Sequence, residues 1–116
     1  MLENSKLGYL EMPGGDLPAT KAFYTAAFGW TFVDYGPTYA GFGEAGLDGG
    51  FQADASDPSA PKVALPIVYA DDLEAMLARV VAAGGLITIP IFTFPGGRRF
   101  HFRDPAGNDL AVFSER

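Results

Sequence analysis

Tyr9-Leu10-Glu11-Met12-Pro13, running into Asp16-Leu17-Pro18-Ala19-Thr20-Lys21-Ala22-Phe23-Tyr24, is the stretch of this chain that decides its fold. A short strand, predicted from Leu7 to Met12, delivers the backbone to Asp16, whose carboxylate suits the unpaired N–H groups of a first helical turn. Pro18 falls where a missing N–H costs nothing. The spacing predicts a helix from Leu17 to Phe28, with Ala19, Ala22, Phe23, Ala26 and Ala27 as its apolar stripe and Gly29 as its left-handed stop.

The same order of signals returns about 56 residues later. A strand from Val63 to Tyr69 leads to Asp71 or Asp72 as cap, Leu73, Met76, Leu77, Val80 and Val81 form a stripe, and Gly84-Gly85 ends the helix near Ala83. After each helix the pattern switches to short strands between Gly-rich turns. In the first copy these lie near Thr31 to Asp34, Thr38 to Gly43 and Gly50 to Gln52; in the second, near Leu86 to Ile91, Arg98 to Arg103 and Asp109 to Phe113. Asp104-Pro105-Ala106-Gly107-Asn108 is the tight turn before the last of them. Between the copies, Ala53 to Pro61 has no aromatic or branched apolar residue to bury and reads as a linker.

A single strand-helix-strand-strand-strand module leaves one sheet face that its own helix does not cover, so two modules are expected to associate. The expected fold class is α+β: two βαβββ modules pairing into a curved, cleft-forming mixed sheet. One domain is expected over residues 1–116, with module one at about 5–53, the linker at about 53–61 and module two at about 62–115.

Composition narrows the function classes. At 116 residues, 48% hydrophobic with ten Phe, the chain can bury a core without staples. The absence of Cys excludes a disulfide framework, a thiolate nucleophile and a sulfur-ligated metal, and makes a cytoplasmic setting the expectation. The first residues show no secretory pattern and no segment approaches the roughly 20 apolar residues of a membrane span. A formal charge of -6 argues against nucleic acid as a partner. The one basic cluster, Arg98, Arg99 and Arg103, reads as a solvated strand edge. Pro95-Gly96-Gly97 and Gly49-Gly50 lack the strand-then-helix setting of a phosphate loop and read as hairpin turns. Trp30 reads as a core anchor.

The quoted strand-to-helix stretch and the Asp104 to Asn108 turn together resemble the glyoxalase, bleomycin-resistance and extradiol-dioxygenase superfamily, also called the vicinal oxygen chelate family. The resemblance extends from Leu7 to Glu115 and implies a cleft with a divalent metal, pairing into a homodimer, and a small-molecule ligand. It places one metal ligand seven residues before the helix cap, which here is Tyr9. The second-module equivalent is Leu65. The closing-strand position, after Leu110, is Ala111, and the remaining one falls near Phe51. Zinc, nickel, manganese or iron would need converging imidazole or carboxylate donors, at about 2.0–2.2 Å for zinc, and neither Leu nor Ala has a lone pair to give. No metal or other cofactor is therefore expected.

Strand alternation predicts the face that the cleft would use. Leu10 and Met12, Ala64 and Val68, and Leu110 and Val112 are left to pack under the helices, while Tyr9 and Glu11 of the first strand, Leu65 and Ile67 of the fifth and Ala111 and Phe113 of the last take the corresponding opposite faces and are expected to line one shared cleft. With Phe51 and His101, the only His, these six are the candidate ligand-binding residues, apolar walls with few polar groups. Glu11 is also the candidate catalytic group. Enclosed, its carboxylate must find a donor, hold a cation or take up a proton; at the strand end it would simply be hydrated. The leading expectation is a metal-free protein that binds a small, largely apolar molecule. The alternative is a lyase, dioxygenase or isomerase that uses a divalent metal, or Glu11, His101 or Gln52 in base chemistry.

Overall fold

A computed structural model describes residues 2–116. Eight strands and two helices follow in the order β1 (Leu7–Pro13), α1 (Leu17–Phe28), β2 (Thr31–Asp34), β3 (Tyr39–Gly43), β4 (Gly49–Gln52), β5 (Leu65–Tyr69), α2 (Leu73–Ala82), β6 (Leu86–Phe94), β7 (Gly97–Arg103) and β8 (Asp109–Ser114). The α+β class and the βαβββ pattern of each copy are those expected from the sequence. Two compact units result: Tyr9–Leu65, and Pro66–Arg116 together with the leading residues through Gly8. The leading residues thus go with the second unit, although the repeat places the start of module one near residue 5. Ser5 donates its N–H to Tyr69 O and Tyr69 donates to Lys6 O, both at 2.9 Å.

In the first unit the strand order is β2-β3-β4-β1, antiparallel except for the parallel β1/β4 pair. That parallel pair needs a long crossover, which α1, β2 and β3 supply. Asp16 caps α1 through its carboxylate, accepting from Ala19 N at 3.3 Å, and Gly29 closes the helix at φ 73°, a left-handed conformation that glycine adopts without a Cβ penalty. The buried side of α1 differs from expectation. Ala19, Ala22, Phe23, Ala26 and Ala27 all face outward, with Phe23 59% exposed, while Leu17 and Tyr24 pack inward. The reason is aromatic: Tyr24 stacks on Trp30 at 4.8 Å and meets Phe51 at 5.2 Å, a larger apolar contact than an alanine stripe can offer. Trp30 joins this core as expected, 4.9 Å from Phe42.

In the second unit the order is β5-β8-β7-β6, with β5/β8 parallel and the others antiparallel. Asp72 caps α2 by accepting from Ala75 N at 3.0 Å. Leu73, Met76, Leu77 and Val80 pack on Val68, Phe100, Phe102 and Val112, whereas Val81 of the expected stripe is exposed. Asp104 accepts from the backbone N–H groups of Ala106 and Asn108 and from the Asn108 amide, so the Asp-Pro-Ala-Gly-Asn turn is a device of the fold rather than of chemistry.

Candidate functional site

The face of the first sheet away from α1 carries the polar constellation. Alternation along β1 sends Leu10 and Met12 to the helix-side core and Tyr9 and Glu11 to the other face, as the sequence predicts. Register then decides the neighbours: Glu11 lies opposite Gly50 of β4, and Gly50 lies opposite Gly41 of β3. Both neighbours lack a side chain. A Cβ on Gly50 would come within 2.5 Å of the Tyr39 ring, and one on Gly41 within 2.9 Å of the Tyr35 ring, so the glycines are what let these aromatics lie against the sheet.

Tyr39 so placed donates its hydroxyl to Glu11 Oε1 at 3.0 Å, and the Tyr9 and Tyr39 hydroxyls are 2.7 Å apart. Glu11 is 4% exposed, so the hydrated alternative does not hold: its carboxylate is enclosed and hydrogen-bonded. Burial, then the neighbouring Glu11 carboxylate, pushes the Tyr39 phenol far above its ordinary 10.0. The Tyr9 phenol is also raised, chiefly by burial. Both are therefore neutral at physiological pH.

This has a stability consequence with a definite sign. Because both folded values lie above the unfolded value, the stability is intact below about pH 10 and is lost as pH rises from there towards the folded values. Urea midpoints compared at about pH 8 and about pH 11 should fall more for the parent protein than for Tyr39→Phe, which no longer has that proton to release. An equal fall in both would mean that the Tyr39 phenol is not held neutral by the fold.

The second sheet's face away from α2 carries Ile67, Ala111 and Phe113 of the predicted set, in register as Ile67 opposite Ala111 and Ala111 opposite His101. His101 is buried, with its ring 5.9 Å from Phe92. Leu65, at the start of β5, is buried too. Arg99 corrects the solvated-edge reading: it is 6% exposed, with its guanidinium over the Phe92 ring at 5.5 Å and the Phe94 ring at 5.4 Å. Its two neighbours in the cluster keep to the surface, Arg98 bonded to Glu74 and Arg103 to Asp109.

Two other candidates move. Phe51 is not on the open face but in the helix-side core, 2% exposed and against Tyr24, Phe32 and Phe42, because β4 sets it opposite Met12 rather than Glu11. Gln52 is engaged at the linker, its side-chain oxygen accepting from Asp54 N at 2.8 Å. Tyr39, Gly50 and Arg99 were the residues that sequence reasoning missed. The signal was present in Tyr39-Ala40-Gly41-Phe42-Gly43, where Ala40 and Phe42 claim the core face and leave Tyr39 opposite.

Among the described residues, no three His, Cys, Asp or Glu come together as metal ligands. Of the positions at which the resemblance implies metal ligands, Tyr9 carries a neutral phenol, and Leu65 and Ala111 carry no side-chain donor atom. No helix among the described residues is long and apolar enough to cross a membrane.

Comparison with known proteins agrees with this architecture. The family described as Glyoxalase/Bleomycin resistance protein/Dioxygenase superfamily matches residues 6–112. CFP32 of Mycobacterium bovis, a protein named as a candidate glyoxylase, is 33% identical over 115 residues, covering 90% of this chain and 44% of its own length. The chain thus spans under half of the curated relative it matches. Among solved structures, methylmalonyl-CoA epimerase from Mycobacterium tuberculosis superposes with a TM-score of 0.71 at 17% identity, covering 98% of this chain and 92% of that one. The Mn(II)-bound glyoxalase from Novosphingobium aromaticivorans superposes at 0.67 and 23% identity, covering 99% and 40%. At these identities the two structures show a shared fold.

Proposed function

Because the chain belongs to the glyoxalase/bleomycin resistance protein/dioxygenase superfamily, we propose that it binds a small, largely apolar molecule on the sheet face that carries Tyr9, Glu11 and Tyr39, without a resident metal or other cofactor. One observation carries the proposal: the linked hydroxyls of Tyr9 and Tyr39 end on the buried Glu11 carboxylate, on a face paved by Gly50 and Gly41. A few fixed polar groups beside aromatic surface are what orient a small ligand. The proposal takes the protein to act in the cytoplasm as a homodimer, with neither nucleic acid nor a membrane as partner.

Metal independence rests on chemistry rather than on vacancy. Leu65 and Ala111 contribute no donor atoms where the family's pattern has ligands, and a neutral phenol is a poor third. Protein purified without chelator should hold well under one equivalent of zinc, nickel, iron or manganese by elemental analysis, and its melting temperature should not change on dialysis against a chelator. A stoichiometric metal that is lost together with thermal stability would overturn this half of the proposal.

The enzyme alternative retains one specific support. A buried carboxylate bonded to a phenol can receive a proton from a substrate held beside it, as a general base does. It would show itself as exchange of a bound ligand's acidic C–H for deuterium in heavy water, abolished in Glu11→Gln.

A further inference from the structure

With Glu11 as a carboxylate, the hydrogen bonds between Tyr9, Tyr39 and Glu11 can run in one direction only, and that direction decides what the free end of the chain can recognise. A carboxylate has no proton to give, so the 3.0 Å bond to Glu11 uses the one proton of the Tyr39 hydroxyl. In the 2.7 Å contact between the two phenols Tyr39 is therefore the acceptor, and Tyr9 must be the donor. The single proton of Tyr9 is spent as well. What remains on the Tyr9 oxygen is lone-pair density, on a side chain only partly buried.

We propose that Tyr9 is an acceptor-only recognition group, so that the site selects ligands presenting an O–H or N–H donor, such as a phenol, an alcohol or an amine, over isosteric ethers and ketones. The inference rests on the binding face proposed above and adds the class of ligand. Each bond in the relay polarises the next, so the Tyr9 oxygen competes poorly as a donor and well as an acceptor. Burial raises the pKa of both phenols, so neither becomes a phenolate that would blur the direction. Glu11 sets the polarity without touching the ligand and is a positioning residue; Tyr39 transmits it.

The test uses a matched pair of probes, phenol and anisole, which differ in the proton. Dissociation constants come from chemical-shift titration of the parent protein, Tyr9→Phe and Tyr39→Phe. In the parent, phenol should bind tighter than anisole by on the order of tenfold, because the ether presents a lone pair to a lone pair and leaves the Tyr9 oxygen unsatisfied. In Tyr9→Phe the preference should vanish. In Tyr39→Phe it should shrink or reverse, since Tyr9 regains a proton that it can donate to the ether. A second readout needs no ligand: the tyrosine Fermi doublet in the Raman spectrum should lose a strong-donor component in Tyr39→Phe. Binding of both probes without preference, or a preference that persists in Tyr9→Phe, overturns the acceptor-only assignment and leaves the binding face intact. No binding of either probe at this face, mapped on the parent protein, overturns both.

Discussion

Gly50→Val is expected to disable the ligand face while leaving the protein folded. Its new Cβ would stand 2.5 Å from the Tyr39 ring, which is the far end of a side chain and moves more cheaply than the backbone. Displacing that ring removes the Tyr39 bond to Glu11 and the Tyr9 contact together. Overpacking of this kind costs about 1–3 kcal/mol of stability. Phenol affinity should fall at least about tenfold, since the polar anchor is lost along with the shape of the face. Retained affinity in a folded Gly50→Val protein would place the ligand elsewhere.

Phe51→Ala should do the opposite. Its side chain is 2% exposed among Tyr24, Phe32 and Phe42, so truncation leaves a cavity and removes contacts across the whole helix-side core. A loss of about 3–5 kcal/mol is expected, which lowers the melting temperature by on the order of 10–20 °C for a chain of this size. Below its melting point, the variant should still bind phenol with parental affinity. A stable Phe51→Ala protein with weakened ligand binding would restore Phe51 to the site from which the β4 register removes it.

The contrast between these two positions shows what the sequence could carry. Both helices and all eight strands are legible, because caps, glycine stops and period-two runs are local signals: Asp16 and Gly29 bracket α1 where the residues alone put them. Faces are legible wherever a strand is long enough to alternate, which is why Tyr9 and Glu11 separate from Leu10 and Met12, and why Ala111 separates from Val112. Register is not legible. Gly49–Gln52 is four residues beginning with two glycines, and a shift of one residue exchanges its faces, so Phe51 could be assigned to either side until its pairing with β1 was known.

The site suffered from the same limit in a different form. Glu11 raised the right question from sequence, but its donor, Tyr39, lies 28 positions away and is brought to it by two strand pairings that no local pattern specifies. Arg99 was hidden by its neighbours, because a run of cations ordinarily faces water. Alternation with Phe100 and Phe102, which pack under α2, is what turns Arg99 to the other face, where Phe92 and Phe94 take its guanidinium. The exposed alanine stripe of α1 shows that a spacing of three and four proves a helix without proving which side is buried; Tyr24 outweighed it.

The most direct test of metal-independent binding at this face is a phenol titration followed by amide chemical shifts, on protein stripped with chelator and kept in it. The account predicts saturable shifts concentrated at Tyr9, Glu11, Tyr39, Gly41 and Gly50, unchanged when zinc or manganese is added back. Shifts that appear only with added metal, or that cluster away from these residues, would contradict it.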